Sequence, residues 1–250
     1  MLGVWAHPDD EAYMSAGLMA EFRRRGDRVV VVTATLGEHG TSDPMTWPPD
    51  RLAALRHNEL RKSLAALGVH ELRLLGYEDG DCERHDGTDA IANYIAVIAP
   101  DLIVTFGPDG VTGHPDHRAI SRWTTDAWAA TRPSAQLWYP TFTADFHRRW
   151  GSLNDQIGLW ADQPEPPLTE TVDLVRSTTL SDALADMKFA ALAAHTSQTL
   201  PLIELAGRAS YREWWRTESF RRADAPYLDA VMTAAGAGRR MPSPRRSSHP

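Results

Sequence analysis

The chain has 250 residues, of which 42% are hydrophobic, 24% charged and 8% aromatic. This is the composition of a folded globular protein and excludes a collagen-like, coiled-coil or largely disordered chain. Lys and Arg number 26 against 33 Asp and Glu, and the resulting net charge of −7 argues against the basic surface of a nucleic-acid-binding protein. We therefore expect no nucleic-acid partner.

Sequence features that mark export or membrane insertion are not found. The first ten residues carry no basic segment ahead of an apolar run, which a signal peptide requires. Asp101 interrupts the longest apolar window, so no stretch approaches the roughly 18 residues of a membrane span. Cys82 is the single cysteine, which excludes an intrachain disulfide and a Cys-rich zinc site. We expect a cytoplasmic protein without a transmembrane segment.

Strands and helices are predicted to alternate from the start of the chain. Leu2 to Ala6 is a short apolar run and Val29 to Ala34 a β-branched run, and each predicts a strand. Between them lies the apolar stripe of an amphipathic helix, formed by Met14, Leu18 and Phe22. A leucine stripe predicts a second helix that ends at Gly68; its members are Leu52, Leu55, Leu60, Leu64 and Leu67.

The alternation continues to about residue 133. Leu72 to Leu75 predicts a strand, Ile91 to Ala99 a helix, and Asp101 to Phe106 a strongly β-branched strand. Strands and helices that alternate through short connections indicate a mostly parallel sheet with helices on both faces. The predicted fold class is therefore α/β.

Beyond residue 133 the pattern weakens, because five prolines interrupt an aromatic-rich stretch. We predict a variable loop region over 138–170, whose aromatic residues could line a pocket, join the core or form a subunit contact. Thr171 to Val175 predicts a returning strand, and Asp182 to His195 a helix. We expect one domain over 1–235 and a disordered tail over 236–250, with homo-oligomer formation left open.

Two segments are dense in residues that ligate metals: Ala6-His7-Pro8-Asp9-Asp10-Glu11 and Gly113-His114-Pro115-Asp116-His117. Each follows a predicted strand and opens a predicted helix. Proline and acidic residues are favoured at a helix N-terminus even where they bind no ligand. Because ligands bind at the carboxyl ends of strands in open α/β sheets, two such segments at equivalent positions favour a functional site.

These residue types predict a metal centre. Zinc takes about four ligands, and a catalytic zinc leaves one position for water. His7 and Asp10 lie three residues apart across a first helical turn, where both can reach one ion, and either His114 or His117 could supply the third ligand. Asp9 points elsewhere and is available as a general base. Such ligands suit several divalent ions, so Fe²⁺ stays open beside Zn²⁺.

Signatures of several other enzyme classes do not occur. The first strand is not followed by Gly-x-Gly-x-x-Gly, and the chain contains neither a phosphate-binding Gly-Lys-Ser/Thr loop nor a Gly-x-Ser-x-Gly elbow. Dehydrogenase, nucleotide-hydrolase and serine-esterase functions therefore lose their main support. A glycosidase is disfavoured because the adjacent carboxyl groups of Asp9 and Asp10 cannot easily flank a bond from opposite sides.

The sequence resembles the PIG-L (LmbE-like) family of zinc-dependent N-acetylglucosaminyl deacetylases at these motifs. The resemblance spans about residues 2–200 and rests on 6–11, on Thr-Leu-Gly-Glu-His-Gly at 35–40, and on 113–117. Weaker matches are Arg56 with Glu59, and the segments 76–80 and 194–198. The family implies a Rossmann-like fold and a hydrolase that removes an acetyl or other acyl group from the nitrogen of a small aminosugar conjugate.

Carried over by position, the resemblance implies that His7, Asp10 and His117 hold the zinc. Asp9 would then be the general base that accepts a proton from the zinc-activated water. His114 would stabilise the oxyanion or protonate the leaving amine.

Further roles are implied around this centre. Asp116 would orient a histidine, and Arg56 and Asp79 would contact the sugar hydroxyls. Thr112 departs from the pattern, since mycothiol-pathway members of the family carry a tyrosine there that is thought to assist the oxyanion. That role is not carried over to this chain.

Two alternatives to an aminosugar deacetylase stay open. One is an amidase that cleaves a larger amide of a thiol conjugate or secondary metabolite. The other is a non-catalytic sugar-binding module, which the presence of Asp9 disfavours. We expect Glu38 and His39 to belong to loop structure, His195 to be packed or hydrogen-bonded, and Cys82 to be structural.

Overall fold

The computed structural model describes residues 1–158 and 167–223. The predicted tail over 236–250 and part of the predicted loop region, including Trp160, lie outside the described residues. Within those ranges the chain forms strands β1 (Leu2–Trp5), β2 (Val30–Thr33), β3 (Glu71–Leu74), β4 (Leu102–Val104), β5 (Gln136–Pro140), β6 (Leu174–Thr179) and β7 (Thr217–Arg222). The helices are α1 (Asp10–Arg24), α2 (Pro49–Ala66), α3 (Thr88–Ile98), α4 (Pro115–Thr131), α5 (Ala144–Ile157), α6 (Asp182–Ala194), α7 (Thr196–Ala206) and α8 (Arg208–Trp214).

All seven described strands belong to one sheet, in the order β3-β2-β1-β4-β5-β7-β6. The first five in this order pair in parallel, and β7 runs antiparallel to both of its neighbours. Helices α1 and α2 both pack against α6, and α3 packs against α4. The predicted α/β class with a mostly parallel, Rossmann-like sheet is confirmed.

The apolar runs in the sequence form the centre of the sheet. Every residue of β1, β2 and β4 is buried, as expected for parallel strands covered on both faces. The strand order reverses between β1 and β4, which are hydrogen-bonded neighbours with Leu2 opposite Ile103. A ligand crevice is expected at this switch point, outside the carboxyl ends of the two strands.

The prediction of loops after residue 133 is wrong for residues 136–140, which form β5, and for residues 144–157, which form α5. The prolines there mark the ends of elements, since Pro133 precedes β5 and Pro140 is its last residue. Helix α5 carries an apolar stripe that the sequence prediction lacks; it consists of Phe146, Trp150, Leu153 and Ile157. The strand predicted from Thr171 begins at Leu174, after a short 3₁₀ turn.

Candidate metal centre

The two His-Pro-Asp segments meet at the switch point of the sheet. The first follows β1 and begins α1, and the second lies between β4 and α4, with Pro115 in the first turn of that helix. Both segments therefore lie at the carboxyl edge of adjacent parallel strands. This is the juxtaposition that the sequence predicts.

Three donor atoms converge at the floor of this crevice. Nδ1 of His7 lies 3.2 Å from Nε2 of His117 and 3.6 Å from Oδ2 of Asp10, and Oδ1 of Asp10 lies 3.4 Å from Nε2 of His117. Ligands of a tetrahedral zinc, bound at about 2.0–2.1 Å, are separated from one another by roughly 3.3–3.4 Å. The three side chains therefore fit a single ion of that size.

Hydrogen bonds prepare both imidazoles as ligands. Nδ1 of His117 donates to the carbonyl oxygen of Gly110 at 2.9 Å, which leaves the lone pair of Nε2 facing the other donors. Nε2 of His7 lies 3.0 Å from Asp79 and 3.2 Å from Asp116, so its proton is held there and Nδ1 is left free. Carboxylate and carbonyl partners of this kind fix the tautomer and orientation of metal-binding histidines.

The local charges favour a cation at this point. Burial alone would lower the pKa of His7, but its hydrogen bonds to Asp116 and Asp79 outweigh burial and raise the pKa to about 10. Burial and the neighbouring histidines hold the pKa of His117 well below its usual value. The acidic groups around His7 therefore stabilise a positive charge at this point, which a bound metal ion would supply in place of a proton on Nδ1 of His7, while His117 is neutral.

His114 has a different part in the site. It is the N-cap residue of α4, and its Nδ1 accepts the N–H of Asp116 at 3.2 Å, which places the proton of the neutral ring on Nε2. Its ring lies edge-on to His7 with 4.8 Å between centroids. Ring nitrogens of His7, His114 and His117 all lie within 4.8 Å of one another. Of the two alternatives for a third ligand, His117 is the one whose free nitrogen faces both His7 and Asp10.

Asp9 is held in an unusual conformation at the start of α1. Its φ of 105° is in the region that favours glycine, a strain of about 1–3 kcal/mol for other residues. The N–H of Asp9 donates to Glu11 at 3.1 Å, and its carboxylate accepts from Arg56 at 3.3 Å. Burial raises the pKa of Asp9 to about 6, against the lowering effect of Arg56.

Arg56 supports the loop that carries Asp9. Its side chain is only 5% exposed, and it donates to the carbonyl oxygens of Gly37 and Pro8, both at 2.7 Å. Gly37 has a φ of 64°, and a Cβ at this position would lie 2.2 Å from Nη1 of Arg56. Arg56 also lines the crevice, and its contact with a sugar stays a prediction.

Asp79 and Asp116 both contact His7, as described above. Asp79 additionally accepts the N–H of His39 at 2.9 Å and receives support from Glu38, which accepts its N–H at 3.0 Å. Asp116 accepts the N–H groups of Gly80 and Cys82 at 2.8 and 3.0 Å. The predicted orienting role of Asp116 matches this geometry, whereas a sugar contact by Asp79 stays a prediction.

The crevice opens into two adjoining cavities. The first has a volume of about 310 Å³, with the metal-ligand candidates at its floor and an apolar wall that includes Tyr13, Phe142 and Trp215. The second has a volume of about 290 Å³ and shares those three wall residues. Phe146 and Trp150 of helix α5 line the second cavity. Phe142, Phe146 and Trp150 also pack against the hydrophobic core, so the structure supports both the pocket-lining and the core interpretation for these residues.

The remaining sequence predictions have clear outcomes. His195 is completely buried and hydrogen-bonded to Glu11, as predicted, and Cys82 is buried. Thr112 lies 3.2 Å from Nδ1 of His117. Sequence reasoning gave no role to Glu11, although it belongs to the first motif, and none to Tyr13. Among the described residues, no helix is both long and apolar enough to cross a membrane.

Comparisons with known proteins show the family and the fold of this chain. The profile of the family described as GlcNAc-PI de-N-acetylase (PIG-L) matches residues 2–128. A 1D-myo-inositol 2-acetamido-2-deoxy-α-D-glucopyranoside deacetylase of Mycolicibacterium gilvum is 34% identical over 199 residues, which cover 69% of this chain and 68% of the relative. The protein of the same name from Actinosynnema mirum is 32% identical over 240 residues, 84% of each chain. A solved structure of N,N'-diacetylchitobiose deacetylase from Pyrococcus horikoshii has a TM-score of 0.60 at 21% identity, covers 92% of this chain and 84% of that chain, and shows a shared fold.

Proposed function

Because the chain belongs to the GlcNAc-PI de-N-acetylase (PIG-L) family, we propose that it is a metal-dependent hydrolase that removes the acetyl group from the nitrogen of an N-acetylglucosamine-type conjugate. The observation that carries the proposal is the convergence of His7, Asp10 and His117 within 3.2–3.6 Å of one another, in a cavity that Asp9 also lines. The names of the relatives in Mycolicibacterium and Actinosynnema support an aminosugar conjugate as the substrate.

His7, Asp10 and His117 would hold the metal ion. Two neutral imidazoles and one carboxylate suit Zn²⁺, and the same donors accept Fe²⁺. When bound, the ion would lower the pKa of a water molecule and polarise the carbonyl of the scissile amide. Asp116 and Asp79 would keep His7 in the tautomer that leaves Nδ1 free.

Asp9 would act as the general base. It accepts a proton from the attacking water as the new C–O bond forms, and it can return that proton to the amine as the C–N bond breaks. Arg56 and Glu11 hold Asp9 at the edge of the cavity for this role. The products are acetate and the free amine.

His114 would stabilise the oxyanion that develops on the acetamide oxygen. Because its Nδ1 accepts the N–H of Asp116, the proton on Nε2 is available for donation. Loss of a single donor of this type can reduce the rate by about 10²–10³. Arg56 and Asp79, which also line the cavity, would contact hydroxyl groups of the sugar.

An amide larger than an acetamide is the second candidate substrate. The observation that admits it is the second cavity, which adds about 290 Å³ next to the first. Either a group attached to the sugar or a larger acyl group has room there. A panel of substrates with acyl groups of different length separates the two candidate functions, because only the second requires hydrolysis of long acyl amides.

The test combines metal content with product release. We expect purified wild type to contain about one Zn²⁺ or Fe²⁺ per chain and to release acetate from N-acetylglucosamine conjugates. Asp9→Asn should keep the metal and lose about 10²–10⁴ in kcat, as expected for loss of a general base. Asp89→Asn, at an exposed first-turn position of α3, is the matched control. Equal activity of Asp9→Asn and wild type, or hydrolysis of long-chain amides alone, would contradict the proposal.

A further inference from the structure

The backbone at Asp9 depends on a carboxylate two residues further along the chain. Asp9 has a φ of 105° and a ψ of −28°, a left-handed conformation that side-chain-bearing residues rarely adopt. Its N–H donates to Oε2 of Glu11 at 3.1 Å, and its carbonyl oxygen accepts from Ala12 and Tyr13 and so begins α1. Glu11 therefore fixes the peptide group that orients Asp9.

Glu11 is itself held by two other helices. The hydroxyl of Ser63, on α2, donates to Oε1 of Glu11 at 3.0 Å, and Nε2 of His195, just after α6, lies 3.0 Å from the same oxygen. A carboxylate only accepts, so the imidazole is the donor. The side chains of Glu11 and His195 are 0% exposed, and water cannot replace either partner.

We propose that Glu11 and His195 are positioning residues for Asp9, and that their buried pair holds the left-handed turn which directs the Asp9 carboxylate into the cavity. The inference rests on the function proposed above, in which Asp9 is the general base. Neither Glu11 nor His195 is among the described residues that line the cavity. Their effect on the reaction therefore passes through Asp9.

A second explanation is that the pair only joins helices. Helices α1 and α2 both pack against α6, and removing one partner of a buried pair at this junction destabilises the fold in any case. The two explanations differ in the expected effect of a destabilising substitution elsewhere in α6. If the pair serves the fold alone, an apolar cavity in α6 should have the same consequences as loss of the pair.

The experiment compares three variants on the same helix segment. His195→Met removes the donor and keeps an extended side chain of similar bulk, and His195→Gln keeps an N–H donor at a similar distance from the backbone. Leu192→Ala, at a completely buried position one turn earlier, destabilises the core without touching the pair. The readouts are kcat, KM, bound metal per chain and the hydrogen-exchange rate of the Asp9 amide.

We expect His195→Met to lower kcat by about 10- to 100-fold, the scale of a misplacement of about 1 Å. KM should stay within about threefold and bound metal should be unchanged, while the Asp9 amide exchanges faster. His195→Gln should recover kcat to within about threefold of wild type. Leu192→Ala should lower the melting temperature and leave both kcat and Asp9 exchange near wild type.

Equal losses of kcat in His195→Met and Leu192→Ala, or an unchanged Asp9 exchange rate in His195→Met, would overturn the inference. If His195→Met does not fold, Ser63→Ala replaces it in the experiment. We then expect a smaller loss of kcat and faster exchange of the Asp9 amide. No change in either quantity would contradict the inference. If wild type hydrolyses no acetylated aminosugar, the proposed function fails. The exchange rate then still decides whether the pair positions Asp9.

Discussion

Arg56→Lys should damage both the stability and the activity of the protein, although it keeps the positive charge. Nη1 of Arg56 donates to Gly37 O and Nη2 to Pro8 O, both at 2.7 Å, and Nη2 also lies 3.3 Å from Asp9. A single ammonium group cannot reproduce the two-sided fork of the guanidinium. At least one of the two backbone carbonyl groups is then left without its partner in a buried environment.

The magnitude follows from these contacts. Loss of a hydrogen bond from a charged donor lowers the free energy of unfolding by about 1.5–3 kcal/mol, and leaving a buried acceptor unsatisfied lowers it by about 1–3 kcal/mol. Since these effects overlap, we expect the free energy of unfolding to fall by about 2–4 kcal/mol. For a chain of this size that corresponds to a decrease in melting temperature of about 4–16 °C.

Calorimetry and steady-state kinetics on the metal-loaded protein test this prediction. We expect kcat to fall by about 10-fold or more, because Asp9 loses a partner, with the metal content unchanged. Arg61→Lys, at an exposed position on the same helix, is the matched control and should behave like wild type. A melting temperature within about 1 °C of wild type together with unchanged kcat would refute the reasoning.

Three further predictions concern the same region. Gly37→Ala should reproduce the kinetic defect of Arg56→Lys, because the added Cβ lies 2.2 Å from Nη1 of Arg56 at a φ of 64°; wild-type kinetics would contradict this. Burial lowers the pKa of His195, but the charge and hydrogen bond of Glu11 together with the charge of Asp9 raise it, so its net shift is upward. The stability from this pair is therefore fully present below about pH 6.5 and is lost as the pH rises through the folded-state pKa; pH-dependent denaturant unfolding should show this slope in wild type and not in His195→Gln. Removal of the metal with a chelator should lower the melting temperature of wild type. The lost stabilisation is about 2.7 kcal/mol if the free metal had been present at 100 times its Kd. The chelator should have little effect on the melting temperature of His117→Ala.

The centre of the fold could be predicted because its signals are local. The apolar runs of β1, β2 and β4 are long enough to identify strands without any knowledge of their partners. The rule that ligands bind at the carboxyl ends of parallel strands then brings His7 and His117 together from 110 residues apart. Composition and spacing were sufficient to bring the two segments together, but they left His114 and His117 as alternatives for the third ligand.

The remainder depends on contacts between distant elements. Glu11 reads as an ordinary first-turn acid, and only the positions of Ser63 and His195 give it a role. The support that Arg56 gives to the loop of Asp9 could not be predicted, because its acceptors lie in two loops, one at Pro8 and Asp9 and one at Gly37, that the sequence does not bring together. The stripe of α5 was hidden by the surrounding prolines, which break a pattern only when they lie inside an element.

The central claim is that His7, Asp10 and His117 hold one catalytic metal ion. The most direct measurement is the metal content of purified wild type, His7→Ala and His117→Ala, determined by mass spectrometry alongside acetate release from an N-acetylglucosamine conjugate. The account predicts about one divalent ion per chain in wild type, loss of that ion in both folded variants, and loss of acetate release with it. A wild-type protein that stays free of metal after reconstitution, or variants that keep both the ion and the activity, would contradict it.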